Sequence, residues 1–379
     1  MSAAYPGPPL YAEASYGLWA RELYRRMPLP AGARILFEST IDEPVTLLHD
    51  VAGRAFGRGM TDRFESVFGR GNPHLLAALA HRYGVEEAMI ATTTGTSNAL
   101  AQAMRALLVP GAHVLVETPR FDVLAEMARG VWAEVEDLPR TAPDFGLTPD
   151  DLRARLRPDT EMVVISNLHN PSGRWLTEDE VLALAAAAAE VGAWLLIDEV
   201  YADFARETPG RLESAPNLIR ANSLSKVFGL YSLRCGWLIA EPHVITRIVA
   251  ANANLEFGVS KLAHAVAALV LEQPEPFEAH WRDILSESRP VLTRHVEAMQ
   301  ADNLIRGEVP AHGCIYFPEI VGAPESRVLA ESLWRDERLV TAPGELFGLA
   351  GHMRLGFGLP AALVDEGLSQ LHEALLRRR

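Results

Sequence analysis

Residues 193–204, AWLLIDEVYADF, carry an unbroken apolar run into Asp198 and then turn polar. A run this short, apolar on both faces, reads as a strand buried from two sides, as in a parallel sheet covered by helices. Working outward, EMVVIS (161–166), HVLVET (113–118) and NLIRANS (217–223) repeat the pattern, and EAMIAT (87–92) begins it. Helical stretches lie between them at 73–83, 96–108, 121–129 and the Ala-rich 178–191. This alternation predicts an α/β fold whose large domain is a mostly parallel sheet covered by helices.

The rest of the chain reads differently. Residues 242–300 are mostly helical by period, and 277–300 are expected as one long helix interrupted near Pro290. CIYFPEI, HMRLGFG and a final amphipathic helix ending in RRR predict a smaller α+β domain. We expect the large domain to span 51–285, with 1–50 and 286–379 forming the small one. The terminal arginines suit a helix C-terminus and a solvated end.

Composition narrows the function. A chain of 379 residues that is 49% hydrophobic has material for a sizeable core. A formal net charge of −14 argues against nucleic-acid or basic membrane-surface partners, so small-molecule chemistry is expected. Cys235 and Cys314 make neither a disulfide framework nor a metal-ligand spacing, which fits a reducing compartment and no metal. The N-terminus lacks the charged and apolar regions of a secretory signal, and the apolar run 181–197 falls short of a membrane span. The expectation is a cytoplasmic protein.

Ligands of open parallel sheets bind beyond the carboxyl ends of the strands, and four such places are chemically rich. In TTTGTSNAL, residues 92–100, Gly95, Thr96 and Ser97 begin a helix and suit a phosphate, although capping by Thr94 or Thr96 explains the stretch equally well. Asn170, in SNLHNPSG, has an amide able to donate to a phenolate oxygen, and NPSG is also ordinary turn chemistry. Asp198 at the end of its apolar strand needs a cation, such as a protonated heteroaromatic nitrogen, unless it only caps a helix. In NSLSKVFGLYSLRCGW, residues 222–237, Ser223, Ser225, Lys226 and Arg234 offer hydroxyls, an amine and a guanidinium for an aldehyde and a phosphate. Lys226 is one of only two lysines against 33 arginines, and lysine can become a neutral amine where arginine cannot. Together the four places ask for an aromatic cation with a phenolic oxygen, a phosphate and an aldehyde, which is pyridoxal 5′-phosphate.

From about residue 70 to 360 the chain resembles the class I/II aminotransferases of pyridoxal phosphate fold type I, the aspartate aminotransferase superfamily. Ser223-Leu224-Ser225-Lys226, the following GL and Arg234-Cys235-Gly236 are similar to the family's S-x-S-K-x-x-G-L-x-x-x-R-x-G. The resemblance implies that Lys226 bonds the cofactor's aldehyde and that Ser223 and Arg234 bind its phosphate with Gly95, Thr96 and Ser97. It implies Asn170 and Tyr201 as donors to the phenolic oxygen, Asp198 as partner of the ring nitrogen, and Phe121 of TPRF as the side chain stacked on the ring. Arg354, which alone would read as a surface salt bridge, becomes the clamp for a substrate α-carboxylate, with Asn170 beside it.

The sequence also departs from the family. The tyrosine that reaches the neighbouring subunit's phosphate is missing, with Ser66 or Phe68 near its place, and ILFESTIDEPVTLL (35–48) lacks the usual glycine-containing motif on the substrate side. The implied activity is transfer of an amino group from an L-amino acid to a 2-oxo acid, with Lys226 as the catalytic base, in a homodimer with shared active sites. A β-eliminating lyase or decarboxylase, a histidinol-phosphate aminotransferase and a non-catalytic regulator are the alternatives. Arg120, beside Phe121, is a candidate selector of an acidic or phosphorylated substrate; Lys261 has no companions and reads as a solvated or dipole-related residue.

Overall fold

Apolar runs with no polar face can only be satisfied at the centre of a sheet, and they lie there. A computed structural model describes residues 9–12, 15–57, 59–65, 67–256 and 258–379; Ser66 is outside the described residues. A short strand, β1 (Arg34–Ile35), precedes the main sheet of β2 (Ile90–Thr93), β3 (His113–Thr118), β4 (Glu134–Pro139), β5 (Thr160–Ser166), β6 (Trp194–Asp198), β7 (Leu218–Ser223) and β8 (Gly236–Ile239). The seven strands run in the order β2-β8-β7-β6-β5-β3-β4. All neighbours are parallel except β8, which is antiparallel to both β2 and β7. Val163, Val164, Ile165, Leu195, Leu196 and Ile197 are fully buried, as expected of strands covered on both faces.

Two strands escape the sequence reading. In β4, EVEDLP, only Leu138 is buried, because it is an edge strand that needs no apolar face on the solvent side. In β8 the four residues GWLI directly follow Arg234-Cys235 and return against the sheet direction. The helix Glu275–Ala301 runs unbroken through Pro290, so the expected interruption does not occur. Its packing against the C-terminal helix Ala361–Arg377 outweighs the one backbone bond that proline removes.

The remaining short strands are β9 (Ile305–Arg306), β10 (Ile315–Tyr316), β11 (Glu319–Ile320), β12 (Leu339–Val340), β13 (Ala342–Pro343) and β14 (Met353–Gly356). β10, β14 and β13 make one antiparallel sheet, β9 pairs with β11, and β1 pairs in parallel with β12. Residues 36–41 continue from β1 along β14, with the Gly356 amide donating to the Leu36 carbonyl at 2.7 Å, and then reach the Lys226 carbonyl through the Ile41 amide at 3.1 Å. This segment ties the C-terminal strands to the end of β7. Among the described residues no helix is long and apolar enough to cross a membrane.

The closeness of this crossing makes a prediction. A Cβ at Gly356 would stand 1.5 Å from the Glu38 carbonyl oxygen. Gly356→Ala should lower unfolding stability by at least about 2 kcal/mol in a denaturant titration. Unchanged stability would mean that the two backbones are not in contact.

Candidate active site

The carboxyl ends of β2, β5, β6 and β7 converge, and each ends in a polar group. Asp198 is 8% exposed, and its Oδ1 accepts only a local amide, from Val200 at 3.1 Å. The helix cap considered for this residue does not form, since Tyr201 is the N-cap of the short turn Ala202–Phe204, and the charge stays uncompensated: among the described residues Asp198 makes no ion pair. Burial, with the charge of Glu117 adding to it, raises its pKa to about 7 against the pull of that amide and of Lys226.

Lys226 follows β7, and its Nζ donates to the Ser39 hydroxyl at 3.2 Å. Burial pushes the amine below its usual range, against the opposing charge of Glu38. The Tyr201 ring lies 5.9 Å from Nζ, and the Tyr201 hydroxyl is buried beside Ser39 without a hydrogen-bonding partner. Arg354, fully buried in β14, donates from Nη1 to Asn170 Oδ1 at 2.9 Å and from Nη2 to the Tyr16 hydroxyl at 2.8 Å and the Phe37 carbonyl at 3.0 Å. Because Oδ1 of Asn170 faces Arg354, its amide Nδ2 remains available as a donor.

At the other end, Gly95 is the N-cap of the helix Thr96–Leu107, so the capping expected of Thr94 or Thr96 is replaced by a glycine with φ 81°. The Thr96 hydroxyl is buried without a partner, and Ser97 is exposed on the same turn. A Cβ at Gly95 would meet Arg234 Nη2 at 2.7 Å, and one at Gly236 would meet Gly95 Cα at 2.7 Å and the Thr96 nitrogen at 2.8 Å. The guanidinium therefore lies against the positive end of a helix, and among the described residues it has no ion-pair partner. Two positive ends facing one another need an anion between them. Ser223, buried at the end of β7, accepts the Ser225 amide at 3.3 Å. Phe121 is half buried, edge-on to Tyr16 with ring centroids 5.3 Å apart.

Sequence reasoning missed the groups that hold this set in place. The Glu117 carboxylate, at the end of β3, accepts the Ser166 amide at 2.7 Å, the Ser166 hydroxyl, and Arg140 Nη1 at 2.8 Å. The Ser166 hydroxyl in turn accepts the Asn170 amide at 3.0 Å. Burial, then the Arg140 charge, keeps His169 neutral; since the Pro119 carbonyl at 2.7 Å can only accept, Nε2 carries the proton and Nδ1 accepts from Ser172 at 2.6 Å. A carboxylate within the apolar run HVLVET was the available signal, because it must be paired once buried.

Other residues of the sequence reading find their places. Arg120 donates from Nη1 to Asp137 at 2.6 Å and from the same nitrogen to the Glu117 carbonyl at 3.3 Å. Lys261 sits at the first position of a helix, where the dipole disfavours it, and lies over the Phe64 ring at 4.2 Å. The terminal Arg377 and Arg378 lie exposed at the C-terminus of the last helix, as expected, and there pair with Glu337 and Asp336. A concavity of about 1000 Å³ between residues 142–145, 172–177 and 306–312 contains none of the converging groups. Its arginines are paired, Arg174 with Asp144 and Glu180 and Arg306 with Glu319, so convergent chemistry rather than volume locates the site.

Residues 55–371 match the family described as "Aminotransferase class I and II". Capreomycidine synthase of Streptomyces vinaceus is 32% identical over 80% of this chain and 79% of its own length. A PLP-dependent aminotransferase from Streptococcus suis aligns at TM-score 0.81 and 25% identity, covering 93% of this chain and 99% of that one. The PLP-dependent cyclase OrfR aligns at TM-score 0.81 and 26% identity over 99% of each chain. Pyridoxal 5′-phosphate is the cofactor this family implies, and the residues present suit it: the orphaned Tyr201 hydroxyl, the orphaned Thr96 hydroxyl and the Gly95–Gly236 cradle have no other use in the fold.

The Asp198 carboxyl titrates near 7 when folded and near 3.8 when free, so the folded cofactor-free protein holds that proton more tightly between the two values. Stability should fall as pH rises through this window, by an amount of order 1–4 kcal/mol. Denaturation of cofactor-free wild type and Asp198→Asn at pH 5 and pH 8 tests it. The variant should lack that part of the slope, and identical slopes would contradict the assignment.

Proposed function

Because the chain belongs to the aminotransferase class I and II family, we propose that it moves the amino group of an L-amino acid to a 2-oxo acid. The observation that carries this reading is the meeting of Lys226, Asp198, Asn170, Tyr201 and Arg354, which arrive from separate strand ends with donors left unused. Ser223, Arg234, Thr96, Ser97 and the Gly95 turn would hold the cofactor phosphate. Asn170 Nδ2 and the Tyr201 hydroxyl would donate to its phenolic oxygen, Phe121 would pack on its ring, and Asp198 would keep its ring nitrogen protonated. Pyridoxal phosphate supplies an aldehyde that accepts the amino group and a cationic ring that draws electrons away from Cα.

The chain's own work is positioning and proton movement. Arg354 forks onto the α-carboxylate, and its bond to Asn170 couples that clamp to the cofactor's phenolic edge. The Lys226 amine, inclined by burial toward its neutral form, would take the proton from the substrate's Cα and hold it for return. The division of the chain into 51–285 and the paired ends 1–50 and 286–379 belongs to the same reading, with the site at their junction. So does a homodimer, which the family resemblance implies.

A second reading draws on the printed names of two relatives, a synthase and a cyclase. There the same residues would activate Cα, but the product would leave without an acceptor. Lys226→Ala should lower turnover by at least about a thousandfold; a fully active variant would overturn both readings. With wild type, transfer requires added 2-oxo acid for repeated turnover. Sustained release of ammonia or ring-closed product in its absence would select the second reading.

A further inference from the structure

We infer that the substrate is an amino acid whose side chain ends in a cation, a guanidinium or an ammonium, and that Glu38 recognises it. This rests on the amino-acid site proposed above and assigns its side-chain pocket. Residue 38 sits between two residues that touch the reacting centre: the Phe37 carbonyl accepts from Arg354 at 3.0 Å, and the Ser39 hydroxyl accepts from Lys226 at 3.2 Å. An amino acid with its carboxylate on Arg354 and its Cα beside Lys226 would therefore lie against the segment that carries Glu38. The Glu38 backbone is pinned against Gly356, so the residue cannot drift away from this position.

Glu38 is a half-buried carboxylate that makes no ion pair among the described residues. Its one hydrogen-bonding contact is from the Tyr24 hydroxyl, at a long 3.3 Å. Tyr24 stands near Tyr16 and Tyr231, and Tyr24 and Tyr231 are each 53% exposed. A carboxylate beside open aromatic faces is a receptor for a cation. For the opposite specificity two arginines come into question, and both are engaged in part: Arg120 pairs through Nη1 with Asp137, and Arg289 donates to the Pro310 and Gly313 carbonyls at 2.6 and 2.8 Å. An acidic side chain would be repelled by Glu38. The Glu38 charge opposes the effect of burial on the Lys226 amine, so its field reaches the site. The competing role, counter-ion to Lys226, would affect every substrate alike.

The test uses the cofactor-loaded protein and two readouts. Calorimetry compares 5-guanidinopentanoate, which has the carboxylate and the guanidinium but no amino group to react, with hexanoate and glutarate. Turnover compares L-arginine and L-lysine with L-leucine and L-glutamate. Wild type should bind the guanidino acid at least about tenfold tighter than hexanoate, and Glu38→Gln should shrink that ratio by about ten- to a hundredfold, with the loss in turnover appearing in the KM for the cationic substrates. Absence of a cation preference in wild type, or an equal loss for all ligands in the variant, overturns the inference while leaving the amino-acid reading intact. A Glu38-dependent preference for the guanidino acid in a protein that reacts with no amino acid would instead overturn the amino-acid reading alone.

Discussion

Everything in the site follows from one costly placement, a carboxylate at the end of a strand whose neighbours are almost wholly apolar. Among the described residues Asp198 has no cation in ion-pair contact, and its single local amide cannot offset the desolvation of a charge. A fold that keeps such a group is stabilised by a ligand that brings the missing positive charge. The same logic recurs at the opposite end, where Arg234 faces a helix N-terminus and both await an anion. One ligand with a cationic ring and a phosphate relieves both.

Between those ends the remaining groups are arranged by the sheet rather than by their local sequence. Parallel register sets Ser166 opposite Asp198 and carries Ser223 to the next strand end, while antiparallel β8 brings Gly236 against Gly95. The Glu117 carboxylate then fixes Ser166, Ser166 fixes the Asn170 amide, and Asn170 meets Arg354 from the C-terminal strands. Binding of the cofactor and clamping of the substrate thus share one rigid chain of hydrogen bonds.

The strands β3, β5, β6 and β7 were legible because burial on both faces leaves no polar alternation to confuse them. Edge strand β4 was not, since a polar outer face is what an edge requires and EVEDLP reads as loop. Lys226, Asp198, Asn170 and Arg354 could be singled out as chemical types in a motif. Tyr16, Glu38 and Glu117 could not, because their meaning lies in contacts across more than a hundred residues for Tyr16 and Glu38 and across about fifty for Glu117. Arg120 was legible only through its neighbour Phe121; its ion pair to Asp137 of β4 arises from strand pairing that its own surroundings in the chain do not reveal. Pro290 shows another limit of local reading, since a long packed helix tolerates a residue that local propensity would place at its end.

The central claim is that one of the chain's two lysines is the anchor of the cofactor. Borohydride reduction of the protein loaded with pyridoxal phosphate, followed by proteolysis and mass spectrometry, addresses it directly. The account predicts the phosphopyridoxyl mass on the peptide containing Lys226 and not on that containing Lys261. A label on Lys261, or no labelled peptide from a saturated protein, would contradict it.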